Sequence, residues 1–479
     1  MLCHFGPNAS ARHFAFVLTV AGATTILDVA TSFHFDHAVE FTPDRADEIL
    51  RSVPPQPGVF ALRGPRAEDS PYLTQTTDLR RRMRRLLDPP ESQSKRLNLR
   101  EKVARIEYCV TGSTFESSLV LYDATAALFG HAEARRRLKL HTPYFLRMTI
   151  ENAFPRVYTT NKLSKRGLAQ MYGPFPSRLA AERYCDAVLD LFKLRRCSED
   201  LAPYPEHPGC IYGEMEKCIK PCKQACTPEQ YAAETAAVKK FFDTRGESMI
   251  IAIGLEREEA SSGMQFEKAA ALHAQWQKVK AVQALADWIV RPVPRLRAVI
   301  VQSAAPEEDH KEDAALFLLE GGCLVGPERL STLGVRAVRE QTSVGSSLFA
   351  QPLMLQAVPL DGEATASNSP EDRATHAIKS LEERVGKSND LALLSDHLSL
   401  LRRWYYRPEK QRIGEIFLAN EDGTWPIRKI LRGAARMVIG EPKPMAETQR
   451  DATKAAKTKI LHEGRPDVER AVPVVPKSR

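Results

Sequence analysis

Four cysteines fall between residues 197 and 222, with twelve, seven and three residues between successive members: Cys197, Cys210, Cys218 and Cys222. Thiolates are soft ligands, and four of them can close a tetrahedral zinc site or an iron–sulfur cube. Cysteine also serves as a small buried hydrophobe. Packing alone seldom concentrates it in a stretch this rich in Pro, Lys and Glu, so the spacing reads as a ligand set. Cys226 repeats the last spacing and ranks as an extra thiol. Pro221 prevents Cys218, Cys222 and Cys226 from lining one unbroken helix. Two arginine runs form the second chemical feature: Arg80, Arg81, Arg82, Arg84 and Arg85, then Arg135, Arg136 and Arg137 with Lys139. Such runs suit phosphate contacts, and they equally suit a solvated helix face.

The elements that must position these groups can be read from the pattern. The chain of 479 residues is 43% hydrophobic and 27% charged, which describes a globular protein of about three domains. A net charge of +8 fits a nucleic-acid binder without requiring one. Nine cysteines, mostly clumped, exclude a disulfide-built secreted scaffold. The apolar run Phe14 to Leu27 imitates a signal peptide but is too short to span a bilayer, and the expected location is the cytoplasm. Pro54 to Gly58 opens a small domain. Val59 to Arg63 and Tyr72-Leu73 read as strands. Asp78 caps a helix whose Leu79, Met83, Leu86 and Leu87 share one face. Ile106 to Val110 and Tyr144 to Ile150 read as strands around a helix over Ser118 to Phe129. Gly173, Pro174 and Pro176 should stop any element, with Ser177 capping the helix that leads to Cys197. Thr227-Pro228-Glu229-Gln230 starts another helix with a capping box. Residues 264–286 are helical, with Ala269, Leu272, Trp276, Val279 and Val282 in one stripe. Leu316 to Val325 reads as a β-hairpin, 361–375 as a loop, and residues beyond about 440 as a charged tail.

The stretch Tyr172-Gly173-Pro174-Phe175-Pro176-Ser177, the run Leu191 to Cys197, then Pro208-Gly209-Cys210, Lys217-Cys218 and Pro221-Cys222 closely resembles the cysteine region of the UvrC family. These are nuclease subunits of bacterial nucleotide-excision repair. The resemblance implies a [4Fe–4S] cluster on Cys197, Cys210, Cys218 and Cys222, with Zn2+ as the alternative. Met264 to Val282 resembles the UVR helical hairpin. This implies a UvrB-like partner docked through Phe266, Ala269 and Leu272 by helix pairing. Residues 298–330 and Leu398 to Tyr406 resemble the segment that follows that hairpin. On this likeness the family's RNase H-like and helix-hairpin-helix domains have no room, and their incision is expected to be absent.

Residues 57–150 then resemble a GIY-YIG nuclease, whose chemistry is metal-assisted phosphodiester hydrolysis. Phe60 stands where the family has its first tyrosine and cannot relay a proton. Tyr72 and Arg82 keep their positions. Thr74 replaces a glycine and Gln75 a lysine, and Tyr122 stands at the metal glutamate. Asp123 lies about 100° further round the helix. The resemblance therefore implies a degenerate nuclease, with Mg2+ or Mn2+ needed only if activity survives. DNA would be gripped by Arg80, Arg81, Arg82, Arg84 and Arg85, since phosphate affinity needs only positive charge.

The expected fold is α/β plus α. Residues 1–45 form an extension, 46–150 the GIY-YIG-like domain and 151–240 the cysteine region. Residues 241–290 form the hairpin, 291–435 a mixed α/β segment and 436–479 a disordered basic tail. The expected function is a DNA-binding repair factor with a UvrB-type partner and no membrane contact. The alternatives are an active nuclease using Asp123 or Glu116, and a metal-scaffold adaptor that binds only protein.

Overall fold

The computed structural model describes residues 33–440, apart from 67, 90–96, 308–309, 336–368 and 387–389. Three antiparallel sheets, each with its own helices, follow one another along the chain.

The first sheet contains β1 (His37–Glu40), β2 (Gly58–Arg63), β3 (Tyr72–Thr76) and β4 (Arg105–Val110) in the order β1-β4-β2-β3. Alternation along β2 sends Phe60 and Leu62 to one face and Val59 to the other. The Phe60 face is covered by α1 (Ala46–Ser52) and α2 (Leu79–Leu87). Asp78 caps α2 by accepting from the Arg81 amide, and Leu79, Met83, Leu86 and Leu87 are its buried stripe. The Val59 face receives Val120 of α3 (Thr114–Phe129), which is followed by α4 (His131–Arg137). The sheet begins earlier than expected. β1 pairs with β4 from His37–Tyr108 to Glu40–Arg105, so residues 37–45 belong to this domain and not to an extension. The Phe14–Leu27 segment lies outside the described residues.

The second sheet runs β6 (Val157–Thr160), β5 (Tyr144–Met148), β7 (Met171–Phe175) and β8 (Arg291–Pro292). Because β5 pairs with β6 and β7, this domain begins near residue 144 rather than 151. The expected break at Tyr172–Pro176 is instead β7. A register shift between Tyr144 and Leu146 accommodates the missing proline donor, and Gly173 lets the Phe145 ring approach where a Cβ would lie 2.4 Å from it. Helix α5 (Arg178–Leu189), capped by Ser177, buries Tyr184 and Val188 over the sheet. A single-turn α6 (Ile211–Glu214) precedes α7 (Pro228–Asp243), whose capping box joins Thr227 and Gln230. Two long antiparallel helices follow, α8 (Glu247–Ser262) and α9 (Phe266–Gln283), joined by a turn in which Met264 is left-handed.

The third sheet is β11 (Cys323–Ser331), β10 (Asp313–Glu320), β9 (Arg297–Ser303) and β12 (Glu415–Leu418). Gly321 and Gly322 make the tight turn between β10 and β11 with positive φ. Helices α10 (Pro370–Arg384) and α12 (Ile427–Ile439) cover one face, and α11 (Leu391–Tyr405) covers the other. Residues 361–368 are outside the description, but from Ser369 the expected loop is a capped helix. Ser369 and Asp372 form its capping box, a signal that the surrounding polar sequence masked. The expected boundary at 435/436 falls inside α12, whose buried Ile430, Leu431, Ala434 and Ala435 hold it on the sheet. Residues 441–479 of the expected tail lie outside the described residues.

Candidate functional site

The segment after α5 carries Cys197. Cys210 precedes the single turn of α6, Cys218 follows it, and Cys222 lies in a short turn at Pro221–Lys223. Pro221 does interrupt any continuous helix. Cys218 and Cys222 are buried, while Cys197 and Cys210 are half-buried. Burial pushes the Cys218 thiol up to about 11; the Lys220 amide opposes this, and the nearby Cys197, Cys210 and Cys222 add to it. The sulfurs of Cys197, Cys210 and Cys222 thus lie within electrostatic reach of Cys218. No three His, Cys, Asp or Glu side chains among the described residues are gathered closely enough to hold a single metal ion.

The backbone around these thiols is fixed by specific bonds. The Cys222 carbonyl accepts from Tyr204, the Cys210 carbonyl from Gly213, and Ile219 donates to the Lys193 carbonyl. Arg195 is buried and donates to Cys197 Sγ at 3.5 Å, to the Glu199 carbonyl at 2.8 Å and to the Phe154 carbonyl at 2.9 Å. A guanidinium held against sulfur offsets thiolate charge from outside the ligand shell. Cys226 is half-buried, and burial followed by Cys222 raises its thiol.

The nuclease-like residues are divided by the first sheet. Leu62 pairs with Tyr72 and Phe60 with Thr74, so Phe60 and Tyr72 share the α2 face. Their ring centroids are 6.3 Å apart, and Arg82 Nη2 donates to the Tyr72 hydroxyl at 3.1 Å. Tyr122 does not join them. Its helix, α3, covers the opposite face, and Tyr122 is buried against α11. Phe60, Tyr72 and Arg82 therefore share one face of the sheet, and Tyr122 stands on the other. Glu116 lies on α3 with Tyr122, and its buried carboxylate accepts from the Gly112 amide at 2.8 Å.

The five arginines of α2 do not make one surface either. Arg80 donates to the carbonyls of Val53 at 2.7 Å and Arg51 at 2.9 Å, where it finishes α1. Arg82 is spent on Tyr72, and Arg84 is half-buried. Arg81 and Arg85 alone of the five are exposed. On the helical pair, Phe266 is 69% exposed beside Met264, whereas Ala269 and Leu272 are half-buried and Leu272 packs against the second core.

One cluster escaped the sequence reading. Asp396 of α11 is 1% exposed and accepts from Arg135 Nε at 2.7 Å, Arg135 Nη2 at 3.0 Å and the Tyr122 hydroxyl at 3.0 Å. His131 Nδ1 lies 3.1 Å from the same hydroxyl. Burial, then Asp396, raises the Tyr122 phenol far above its ordinary value. The neighbouring His397 is lowered to about 4 by burial, and its Nδ1 accepts from the Leu324 amide at 3.0 Å. The adjacent Asp396-His397 inside the apolar run Leu391 to Leu401 was the available signal, because an acid on a buried helix needs a partner.

A family model described as the UvrC/Cho excinuclease middle domain matches residues 143–241, from the edge of β5 into α7 and across all four cysteines. The UvrABC system protein C of Desulforudis audaxviator is 26% identical over 66% of this chain and 51% of its own length. The proteins of the same name from Acaryochloris marina and Haloarcula marismortui are 28% and 29% identical, over 64% and 60% of this chain. The chain is thus similar to UvrC proteins, and residues 143–241 match their middle domain. It spans about half the length of the curated UvrC relatives it matches. No solved structure matches it significantly. Among its described residues no helix is long and apolar enough to cross a membrane.

Proposed function

We propose that this UvrC-like chain is a nucleotide-excision-repair factor that binds DNA inside the cell without cutting it through its N-terminal module. One observation carries the reading. Phe60, Tyr72 and Arg82 remain together, but the position expected to supply the metal carboxylate is a tyrosine on the far face of the sheet. Metal-assisted hydrolysis needs hard oxygen ligands beside the phosphate and a group to handle the water's proton. Phe60 has no hydroxyl for the second task, and Glu116 and Asp123 share the helix of Tyr122. The relatives are named for the UvrABC system, which favours DNA as the ligand.

The four thiols are read as holding a [4Fe–4S] cluster. A soft all-sulfur donor set with a guanidinium at one sulfur suits iron–sulfur ligation. When bound, the cluster would crosslink the chain leaving α5 to the turns before α7, as a structural joint. The tip of the α8–α9 pair, with Phe266 and Met264 exposed, is read as the dock for a UvrB-type helical partner.

A nicking assay with Mg2+ or Mn2+ on damaged and nicked duplexes is expected to show no cleavage. Robust metal-dependent cleavage that disappears in Arg82→Ala would overturn the reading. Negligible DNA affinity at low salt would favour the adaptor instead. An anaerobic preparation should contain iron and sulfide in equal amounts, lost in Cys218→Ser and retained in Cys226→Ser. Stoichiometric zinc without iron would replace the cluster.

A further inference from the structure

The two arginines before Cys197 are neighbours in sequence but differ in company. Arg196 Nη2 donates to Asp190 at 2.7 Å, and the same carboxylate accepts from Lys217 Nζ at 2.9 Å, so the Arg196 charge is matched. Arg195 is only 3% exposed. Its side chain donates to the Phe154 and Glu199 carbonyls and to Cys197 Sγ, and none of these three acceptors is a carboxylate. Carbonyl dipoles satisfy N–H groups, but a buried positive charge is costly until a negative one lies beside it.

The surroundings hold Arg195 on that spot. Its amide donates to the Tyr231 hydroxyl at 3.4 Å, and that hydroxyl donates to the Pro155 carbonyl at 2.7 Å. The Phe154 and Tyr231 rings meet edge-on with centroids 5.5 Å apart. The turn between β5 and β6, the first part of α7 and the segment leaving α5 therefore converge on Arg195 beside Cys197. The Ile219 amide, next to Cys218, donates to the Lys193 carbonyl at 3.1 Å and ties the later cysteines to the same segment. A [4Fe–4S] core with four thiolates is anionic overall and gains a further negative charge on reduction. It would supply at Cys197 the counter-charge that the carbonyls do not.

We propose that Arg195 is the positioning residue and counter-cation of the cluster: its fork holds the Cys197 sulfur in place, and its charge favours the reduced, more anionic core. The proposal rests on the [4Fe–4S] reading above. Its two parts are separable. Holding Cys197 depends on the planar fork, which reaches Sγ and two carbonyls together and which a lysine cannot reproduce. The reduction potential depends on the charge and on the N–H···S bond, because net charge and hydrogen bonds to the sulfurs tune such cores. Arg196, matched by Asp190, serves neither part.

The test uses the full chain prepared anaerobically, with two readouts: a dithionite titration of the reduction potential, and the rate of iron release to a chelator. Arg195→Gln should lower the potential by about 59 mV, a tenfold change for one electron, and release iron about tenfold faster. Arg195→Lys keeps the charge without the fork, so it should stay nearer the parent potential yet release iron almost as fast as Arg195→Gln. Arg196→Gln should match the parent in both readouts. Where Arg195→Gln does not fold, Arg195→Lys carries the test, and iron release at the parent rate overturns the proposal. If the parent holds iron and sulfide but both Arg195 variants behave like it, the proposal is overturned and the cluster reading stands. A shift in Arg196→Gln as large as that in Arg195→Gln has the same consequence, since the effect would then be general charge. A parent that holds zinc, or no metal, ends both readings.

Discussion

Tyr122 donates its hydroxyl to Asp396 across 274 residues of sequence, at 3.0 Å and out of contact with water. Through this bond α3 is fastened to the third domain. Arg135 completes the junction with two bonds to the same carboxylate. Thr142 with Ser395, and His141 with Ser399, extend it along α11. The same helix reaches the second domain, where Arg402 donates to the Pro176 carbonyl at 2.9 Å. One helix therefore braces all three sheets.

Removing the carboxylate should cost much of this brace. Asp396→Ala leaves Arg135 without its partner, and breaking such a pair costs about 3 kcal/mol, at the lower end of the range because the guanidinium is partly in water. Tyr122→Phe removes only one bond to a charged acceptor and should cost about 1.5 kcal/mol. Urea denaturation of both variants checks the order. Equal stability of Asp396→Ala and the parent would show that the junction contributes nothing.

His397 gives the junction a pH dependence. Its folded value is about 4, against about 6.5 in the unfolded chain. Between these values the unfolded state binds the extra proton, so stability rises with pH there. Stability should start to fall as the pH drops below about 6.5, and the loss, on the order of 3 kcal/mol, is complete once it has passed through about 4. Midpoints of urea denaturation at pH 7.5, 5.5 and 4.5 should fall in that order. His397→Gln should flatten the trend.

The local signals in the sequence were sound where chemistry acts over a few residues. Asp78, Ser177 and the Thr227–Gln230 box cap helices because each side chain reaches an amide three residues on. The β10–β11 hairpin followed from Gly321 and Gly322 between apolar runs. What the sequence hid was long-range. Nothing near Tyr122 announces Asp396, and nothing local shows that α3 and α2 lie on opposite faces of one sheet. The arginines of α2 misled for the same reason: Arg80 reaches backbone carbonyls 27 and 29 residues away, which charge clustering does not reveal.

That division among the arginines predicts separable effects. Replacing Arg81 and Arg85 by Ala should lower the slope of log affinity against log salt by about 1.8 for duplex DNA, if each meets one phosphate. Their exposure implies unchanged stability. Arg80→Ala should leave the slope nearly unchanged and destabilise the fold by about 1–3 kcal/mol, because two carbonyls lose their donor. Filter binding across a salt series, read beside thermal melts, separates the two classes. An Arg80→Ala slope as altered as that of the double variant would return all five arginines to one DNA-facing patch.

The helical pair offers a prediction that separates docking from folding. Phe266 opens α9 with 69% of its surface in water, so trimming it to Ala removes little that the fold uses. An exposed aromatic beside Met264 is the kind of anchor that a partner helix buries, and losing it should weaken a complex about tenfold or more. Leu272 differs, since it packs against the core formed by α5 and α7. Leu272→Ala should lower stability by about 1–2 kcal/mol, as expected for a partly buried leucine. Pulldown of a UvrB-type protein is expected to fail with Phe266→Ala at an unchanged melting temperature. If Phe266→Ala retains the partner fully, the tip of the pair is not the dock, and the weight shifts to other exposed apolar groups on α8, Ile251 and Leu255.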